Sequence, residues 1–486
     1  MRNSSLGLLL LALGLDCALT FGQDLPQELA EIDQKVVKES EYQSGSPKPK
    51  VVLRPVTKRI VKEYLFPNRD AAIGELRFSP DGNRLFAADY PGGVFVVWDV
   101  KTAESLFQVE TGKGFRSRSE YIHFPANWTT VYVLYDSTKK IEALGEDGKQ
   151  GIRASYGRTI RGWSLDTGKE VAHLSNDPPH GGEFALLAPD GSWMVTSDEI
   201  PGDFSIAEFG TRRNVATIWD LDSKTSEPIG EPGDLPIYAS SEGRYLAMGK
   251  GDGKGIAWYD VITRQPLWTY KPAKDCGAGP VCPTADGRGL IFVEMLQDIK
   301  NNSILKTWLK IIDRETGAEK SSYEMKDAQG VQPRVLANHQ GRTLLELVEF
   351  ETTRNSLHYR DVRVVEEKEG AFQELFRIEF PRRDPKVISS ASPMRISPDG
   401  AFAAFTVSEV PSSGEELVRL TALDLPQPQL WFVDMTSGKI FEKLDLPQAF
   451  ANSVAFSPDG KSIAVSGLGG VNLIDVSDLV AEQKKN

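Results

Sequence analysis

At 486 residues, 40% of them hydrophobic, the chain can bury a large core, and length alone suggests two or three domains unless internal repeats make one large unit. The formal net charge is −12 with no long run of lysine or arginine, which argues against a general binder of nucleic-acid backbones. Five histidines and three cysteines, with no His-Glu-x-x-His, Cys-x-x-Cys-His or EF-hand loop among them, leave zinc-peptidase, c-type haem and standard calcium sites unsupported.

The first residues read as an export signal. Arg2 supplies the positive start, Leu6–Leu15 a short apolar run, and Thr20-Phe21-Gly22 a small-residue cleavage site. The apolar run is too short to span a bilayer, and Asp16 occupies the place where a lipidated Cys17 would need a small residue. Cleavage near Gly22 is therefore expected, in preference to a retained anchor, and the protein is expected in the periplasm, at the cell surface or secreted. Residues 23–56 form an extension: Glu28–Glu39 has amphipathic helical spacing, and Ser44-Gly45-Ser46-Pro47-Lys48-Pro49-Lys50 is linker chemistry.

From residue 57 onward the punctuation becomes periodic. Phe78–Gly82 and Phe456–Gly460 both spell Phe-Ser-Pro-Asp-Gly, Ile396–Gly400 spells Ile-Ser-Pro-Asp-Gly, and Leu187–Gly191 spells Leu-Ala-Pro-Asp-Gly. This is β-turn chemistry: proline presets the first corner, aspartate bonds to nearby backbone and glycine takes the left-handed position. In the first repeat Glu75–Phe78 and Arg84–Ala88 flank the turn as short apolar strands. Val94–Trp98 follows and ends in Trp98-Asp99, and Ser105–Val109 makes a fourth strand. Weaker spellings of the first turn occur at Pro125-Ala126-Asn127, Ser241-Glu242-Gly243, Ala285-Asp286-Gly287 and Asn338–Gly341. Third-strand ends recur at Trp163-Ser164, Trp219-Asp220, Tyr259-Asp260, Ile312-Asp313, faintly near Val362–Val365, then at Val433-Asp434 and Ile474-Asp475. Gly249–Gly255 is glycine-rich but links two strands, so it reads as a hairpin turn rather than a phosphate loop.

Repeated four-stranded units that cannot each bury both faces predict a ring. The Ser-Pro-Asp-Gly turn, the Trp-Asp strand end and turns such as Thr167-Gly168-Lys169 and Ser437-Gly438-Lys439 resemble the WD40 family over roughly residues 57–479. The resemblance implies an all-β fold, a single β-propeller of eight four-stranded blades, with seven as the alternative if the faint sixth repeat belongs to its neighbour. It also implies closure by an N-terminal strand, because the last repeat lacks a fourth strand and Thr57–Phe66 is spare; a polar tail, residues 480–486, remains outside. The family's Gly-His dipeptide is missing throughout, which sets the chain among divergent, bacterial-type propellers and weakens transfer of partners from eukaryotic relatives.

Turns after second strands carry the insertions: Asp136–Arg158, Ser197–Asn214, Gln297–Ser303 and Ser408–Pro428. Insertions gathered on one face of a repeat ring suggest its binding face. Basic residues lie on connections opening toward the same face: Lys113, Arg116 and Arg118; Arg212 and Arg213; Lys271 and Lys274; Arg382, Arg383 and Lys386. Converging, they would form a positive mouth for acidic side chains, carboxylates or sulfates. Ordinary surface charge paired with Asp275 or Asp384 is the competing reading. Trp98, Trp163, Trp193, Trp219, Trp258 and Trp431 are expected in the core, while Trp128 and Trp268 are less constrained.

Losing the signal leaves Cys276 and Cys282, with five residues including Gly and Pro between them, and an exported chain would be expected to join them in a disulfide. The sequons at Asn127 and Asn301 matter only in a eukaryotic host. The reading reached is an exported, monomeric ring without cofactor or metal, serving as a rigid platform for a protein or an anionic polymer of the cell envelope. The alternative is an extracytoplasmic polysaccharide hydrolase or lyase working in the axial mouth.

Overall fold

The computed structural model describes residues 59–67, 72–90, 93–111, 122–144, 150–175, 182–199, 214–250, 255–274, 276–298, 303–325, 331–339, 342–353, 356–380, 387–411, 427–447, 453–467 and 469–479. They form eight antiparallel sheets arranged as an eight-bladed β-propeller. Blade 1 holds Ala72–Phe78, Arg84–Tyr90, Val94–Asp99 and Ser105–Glu110. Blades 2 to 6 follow the same order in sequence, starting at Ile122, Gly182, Leu235, Cys276 and Val331. First strands of successive blades approach one another, so they line the axis. The third strands are buried on both faces and read as near-continuous apolar runs, as in Val94–Asp99 and Ile256–Asp260. The fourth strands face outward and alternate, as in Gln265–Tyr270.

The core is divided among the eight joints. Each hydrophobic cluster takes residues from two neighbouring blades: Phe86 and Phe95 with Val131 and Trp163 between blades 1 and 2, Leu344 and Val364 with Phe405 and Trp431 between blades 6 and 7. The tryptophans expected in the core are there. Trp128 and Trp268 are also constrained: Trp128 occupies the left-handed glycine slot of its turn at φ 56° and stacks on Phe124, and Trp268 stacks on Trp258 and donates to the Arg314 carbonyl at 2.8 Å.

The repeated turn sequence has a second cause besides its backbone shape. The aspartate accepts both the hydroxyl two residues earlier (Ser457 to Asp459, 2.6 Å) and the N–H two residues later (Lys461, 3.1 Å). The glycine lies against the preceding blade's turn: a Cβ on Gly82 would stand 3.3 Å from Pro458, and one on Gly191 3.0 Å from Pro125. Glycines of the other turns on this face do the same farther out. A Cβ on Gly168 would lie 2.8 Å from the Phe107 ring, and one on Gly317 2.7 Å from Trp268.

Blade 7 departs from four plain strands. Its first strand is split into Val387–Ala391 and Arg395–Ile396, both paired with Phe402–Pro411. Proline at 393 offers no N–H, and the Met394 N–H released at the break donates to the buried carboxylate of Glu346 in blade 6, at 3.3 and 3.4 Å.

Blade 8 closes the ring. Val454–Phe456, Ser462–Ser466 and Gly470–Asp475 are completed by Ile60–Leu65, with Ile60 opposite Ile474 and Leu65 opposite Gly470. Tyr64 and Phe66 are fully buried against Trp98 of blade 1, ring centroids 5.6 and 5.9 Å away. Tyr64 also donates to the Val100 carbonyl at 3.1 Å, and Arg59 pairs with Asp478.

The expected disulfide is overturned. Cys276 and Cys282 are not joined; they belong to one extended strand, Cys276–Pro283, rather than to a loop. Six residues of strand cover roughly 20 Å, against the 7 Å that a bridge tolerates between Cα atoms. A bulge between Ala278 and Val281 also turns the two side chains to opposite faces. Burial pushes the Cys282 thiol well above its usual range, with the Glu367 charge adding to the effect.

Candidate functional site

In an antiparallel blade, turns after strands one and three share one end and turns after strand two share the other. No second-strand turn carries Pro-Asp-Gly chemistry, and in some blades the strands on that side run on. Asp136–Arg158 is therefore not a loop interrupting blade 2. Its two strands, Thr130–Leu144 and Gln150–Ser164, pair without a break from Thr130 opposite Ser164 to Leu144 opposite Gln150. The second strand of blade 1 has only 7 residues, so this hairpin stands roughly 25 Å above the ring. Blade 6 carries a second long hairpin, Arg342–Thr353 with Ser356–Lys368, which no turn motif announces and which lies in the faintest repeat. Gly289–Asp298 with Ser303–Asp313 in blade 5, and Phe402–Pro411 in blade 7, extend on the same side.

Of the basic residues proposed for the mouth on this face, Lys271 and Lys274 follow the fourth strand of blade 4 and are exposed. Lys113, Arg116, Arg118, Arg212, Arg213, Arg382, Arg383 and Lys386 lie outside the described residues, as do the signal and the extension.

Charged residues that sequence reading passed over form networks within and between the blades. Lys250, at the end of the second strand of blade 4, is clamped by Glu231 at 2.7 Å and by buried Asp234 at 3.0 Å. Tyr259 donates to the same Asp234 at 3.4 Å, and burial, then that charge, raises its hydroxyl pKa. Between blades 4 and 5, Tyr270 donates to Glu294 at 2.7 Å, while Lys310 lies 3.2 Å from Glu294 and 3.0 Å from Glu319. Burial and the bond to Glu294 push the Tyr270 hydroxyl up. Lys310 stays cationic because its bonds to Tyr270 and Glu319 and the charge of Glu294 outweigh the cost of burial. In blade 6, Asp361 is enclosed and pairs with Arg363 and Arg377. The second network has a sequence signal, a charge breaking the apolar run Leu290-Ile291-Phe292-Val293-Glu294; the other two have none of that kind. The first ties blade 4 to the connection entering it, the second ties blades 4 and 5, and the third ties two strands of blade 6; all leave these cations and carboxylates engaged with one another.

Asp89 has the carboxyl that burial raises. It is 1% exposed, and its Oδ1 accepts the Val94 N–H at 2.7 Å, closing the second-strand turn of blade 1 from beneath. Among the described residues no group of three or more His, Cys, Asp or Glu side chains is placed to hold a metal, and no helix is long and apolar enough to cross a membrane.

No protein-family model matches the chain, and no curated protein matches its sequence. Solved structures do. The C-terminal WD40 domain of Sif2 aligns over 86% of this chain and 98% of its own length, with a TM-score of 0.52 and 12% identity. The β-propeller domain of Cps50 (Swd1) from Myceliophteria thermophila covers 86% and 99%, with a TM-score of 0.42 and 14% identity. Hydrazine synthase from Kuenenia stuttgartiensis covers 73% and 95%, with a TM-score of 0.44 and 14% identity. The likeness to the Sif2 domain is one of fold, a WD40-type β-propeller, as the turn and strand-end motifs implied.

Proposed function

We propose that this ring is a rigid binding platform whose working surface is the hairpin face. One observation carries the reading: long paired strands leave the ring on that side in blades 2 and 6, while the opposite side is held to tight turns. A stiff ring presents such hairpins at fixed spacing, so a partner can be gripped at several points with little rearrangement. The favoured partner is a protein, or an anionic polymer drawn by the basic residues of the connections between blades. The N-terminal residues support action outside the cytoplasm, in the periplasm or at the cell surface; the unjoined cysteines lend that compartment no support. The polysaccharide-cleaving alternative gains nothing from Asp89, which is enclosed and engaged with backbone.

The test is a pair of variants of the full chain, compared for partner capture from native envelope extract and then for affinity to whatever is captured. One replaces residues 137–157 by Asn-Gly, a two-residue hairpin turn; the other carries Arg116→Glu, Arg118→Glu, Arg382→Glu and Arg383→Glu. A partner held by the native ring and lost by the first variant supports the hairpin face, and loss by the second adds the basic mouth. Equal capture by all three proteins would sink the platform reading of this face.

A further inference from the structure

On the other face, among the tight turns, the inner strands of blades 7, 8 and 1 border an open cavity of about 370 Å³. Its lining mixes apolar residues, among them Leu76, Ile396, Val454 and Phe456, with Ser79 and two arginines. One position explains both the space and its charge. Two residues before the serine of the turn stand Arg395, Ala455 and Arg77 in these three successive blades, each in the same register with its second strand (opposite Ala404, Ala464 and Phe86). The small alanine between two arginines leaves the volume empty. Arg77 is fixed: its Nε donates to buried Glu75 at 3.0 Å, and its guanidinium lies over the Phe124 ring at 4.8 Å. Arg395 is exposed and pairs with no acid among the described residues. A guanidinium in a lining shared with apolar side chains suits a carboxylate beside an aliphatic side chain.

The path of the chain points to one occupant. Because Ile60 pairs with Ile474, and the Arg59 carbonyl accepts the Asp475 N–H at 2.9 Å, the closing strand begins at the tight-turn end of blade 8. Arg59, where the described chain begins, therefore lies on the cavity's own face, three strands out from Val454–Phe456, a distance of about 14 Å. Between Asp33 and Arg59 lie 25 residues, a length whose random-coil span is roughly 25–30 Å. Upstream of them, Glu28-Leu29-Ala30-Glu31-Ile32-Asp33 sets carboxylates beside aliphatic residues. Tethering gives such a segment an effective concentration on the order of millimolar, so even a weak contact is occupied. We propose that the cavity is a carboxylate-binding site filled in cis by residues 28–33 of the chain's own extension. The proposal is independent of the hairpin-face reading, since it concerns the opposite side of the ring.

The test uses the full chain with Arg395→Lys, a conservative change at an exposed site, and a zero-length carbodiimide that couples an amine only to a carboxylate in contact with it. A mixture of isotopically light and heavy protein separates coupling within one chain from coupling between copies. The expected result is a cross-link from position 395 to Glu28, Glu31 or Asp33 within one chain, lost when Glu28→Gln, Glu31→Gln and Asp33→Gln are added. No cross-link to those three carboxylates, coupling only to other acids, or coupling only between light and heavy chains would each overturn the proposal.

Discussion

The two ends of the ring are made by the same strands and obey opposite rules. At the tight-turn end, the Ser-Pro-Asp-Gly turns of blades 1 and 8 are closed by their own serine and aspartate and packed by their glycine against the previous blade, so local turn chemistry and blade-to-blade contact are the same few atoms. At the hairpin end, nothing of that kind limits strand length, and Thr130–Leu144 runs twice as far as Arg84–Tyr90. One end sets how blades fit their neighbours; the other is where blades of one ring become different from each other. Variation is cheap only where a turn carries no contact with the next blade.

The comparison is most severely tested at the closure. Removing residues through Phe66 takes away the outer strand of blade 8 together with two fully buried aromatics. Aromatic truncations in a core cost about 3–5 kcal/mol each. A large fall in melting temperature by calorimetry is expected, and an unchanged melt would show that the ring closes some other way. Next come two glycines with nearly the same backbone angle. At Gly317 (φ 71°) an added Cβ meets Trp268, while at Gly287 (φ 67°) it meets nothing within 4 Å. Gly287→Ala is expected to cost about 1–2 kcal/mol from the left-handed backbone alone, and Gly317→Ala about 1–3 kcal/mol more from overpacking. Equal losses in denaturant melts would remove the blade-to-blade role assigned to these turns.

Acid provides the third test. The Ser79, Thr284 and Ser457 hydroxyls hold the carboxyls of Asp81, Asp286 and Asp459 below the usual range, and backbone N–H groups of Thr102, Ser223 and Thr263 do so for Asp99, Asp220 and Asp260. With the folded value depressed, the unfolded chain binds more protons at low pH. This stabilisation is complete above the unfolded value, about pH 4, and is lost as pH falls through the lower folded values. Stability measured against pH should stay flat from neutrality to about pH 5 and fall below pH 4. A loss beginning near pH 6 would mean that other groups govern it. The smallest effect is expected at the hairpin end. Replacing residues 137–157 by Asn-Gly should change stability by only about 0.5 kcal/mol, as for surface changes away from packed features, and a loss of several kcal/mol would show that the hairpin braces the ring.

What was legible in the sequence follows the same division. Ser79-Pro80-Asp81-Gly82 and Trp98-Asp99 repeat because close contact dictates them, so strands, blade count and the closing strand could be read directly. Blade 6 was faint because its turn lacks that spelling, and its long hairpin passed unseen because continued alternation looks the same whether a strand lies in the ring or beyond it. The cysteines misled because Gly277, Gly279 and Pro280 suggest a loop, whereas here they fall in a bulged strand. Arg77 and Arg395 gave no signal of their own: they lie far apart in the chain, and only the closed ring sets them on either side of Ala455.

Closure also fixes a sequence of events in time. The contact between Arg59 and Asp478 joins residues 419 apart, so the earliest strand of the ring finds its partner only after the last has been made. Bringing ends that distant together costs roughly 5 kcal/mol in chain entropy, a debt that falls once seven blades already hold the ends side by side. Until then Ile60–Leu65 is an unpaired edge and the joint of Trp98 lies open. Closure of this ring is therefore a late event, and the molecule is most exposed to misassociation just before the closing strand is paired.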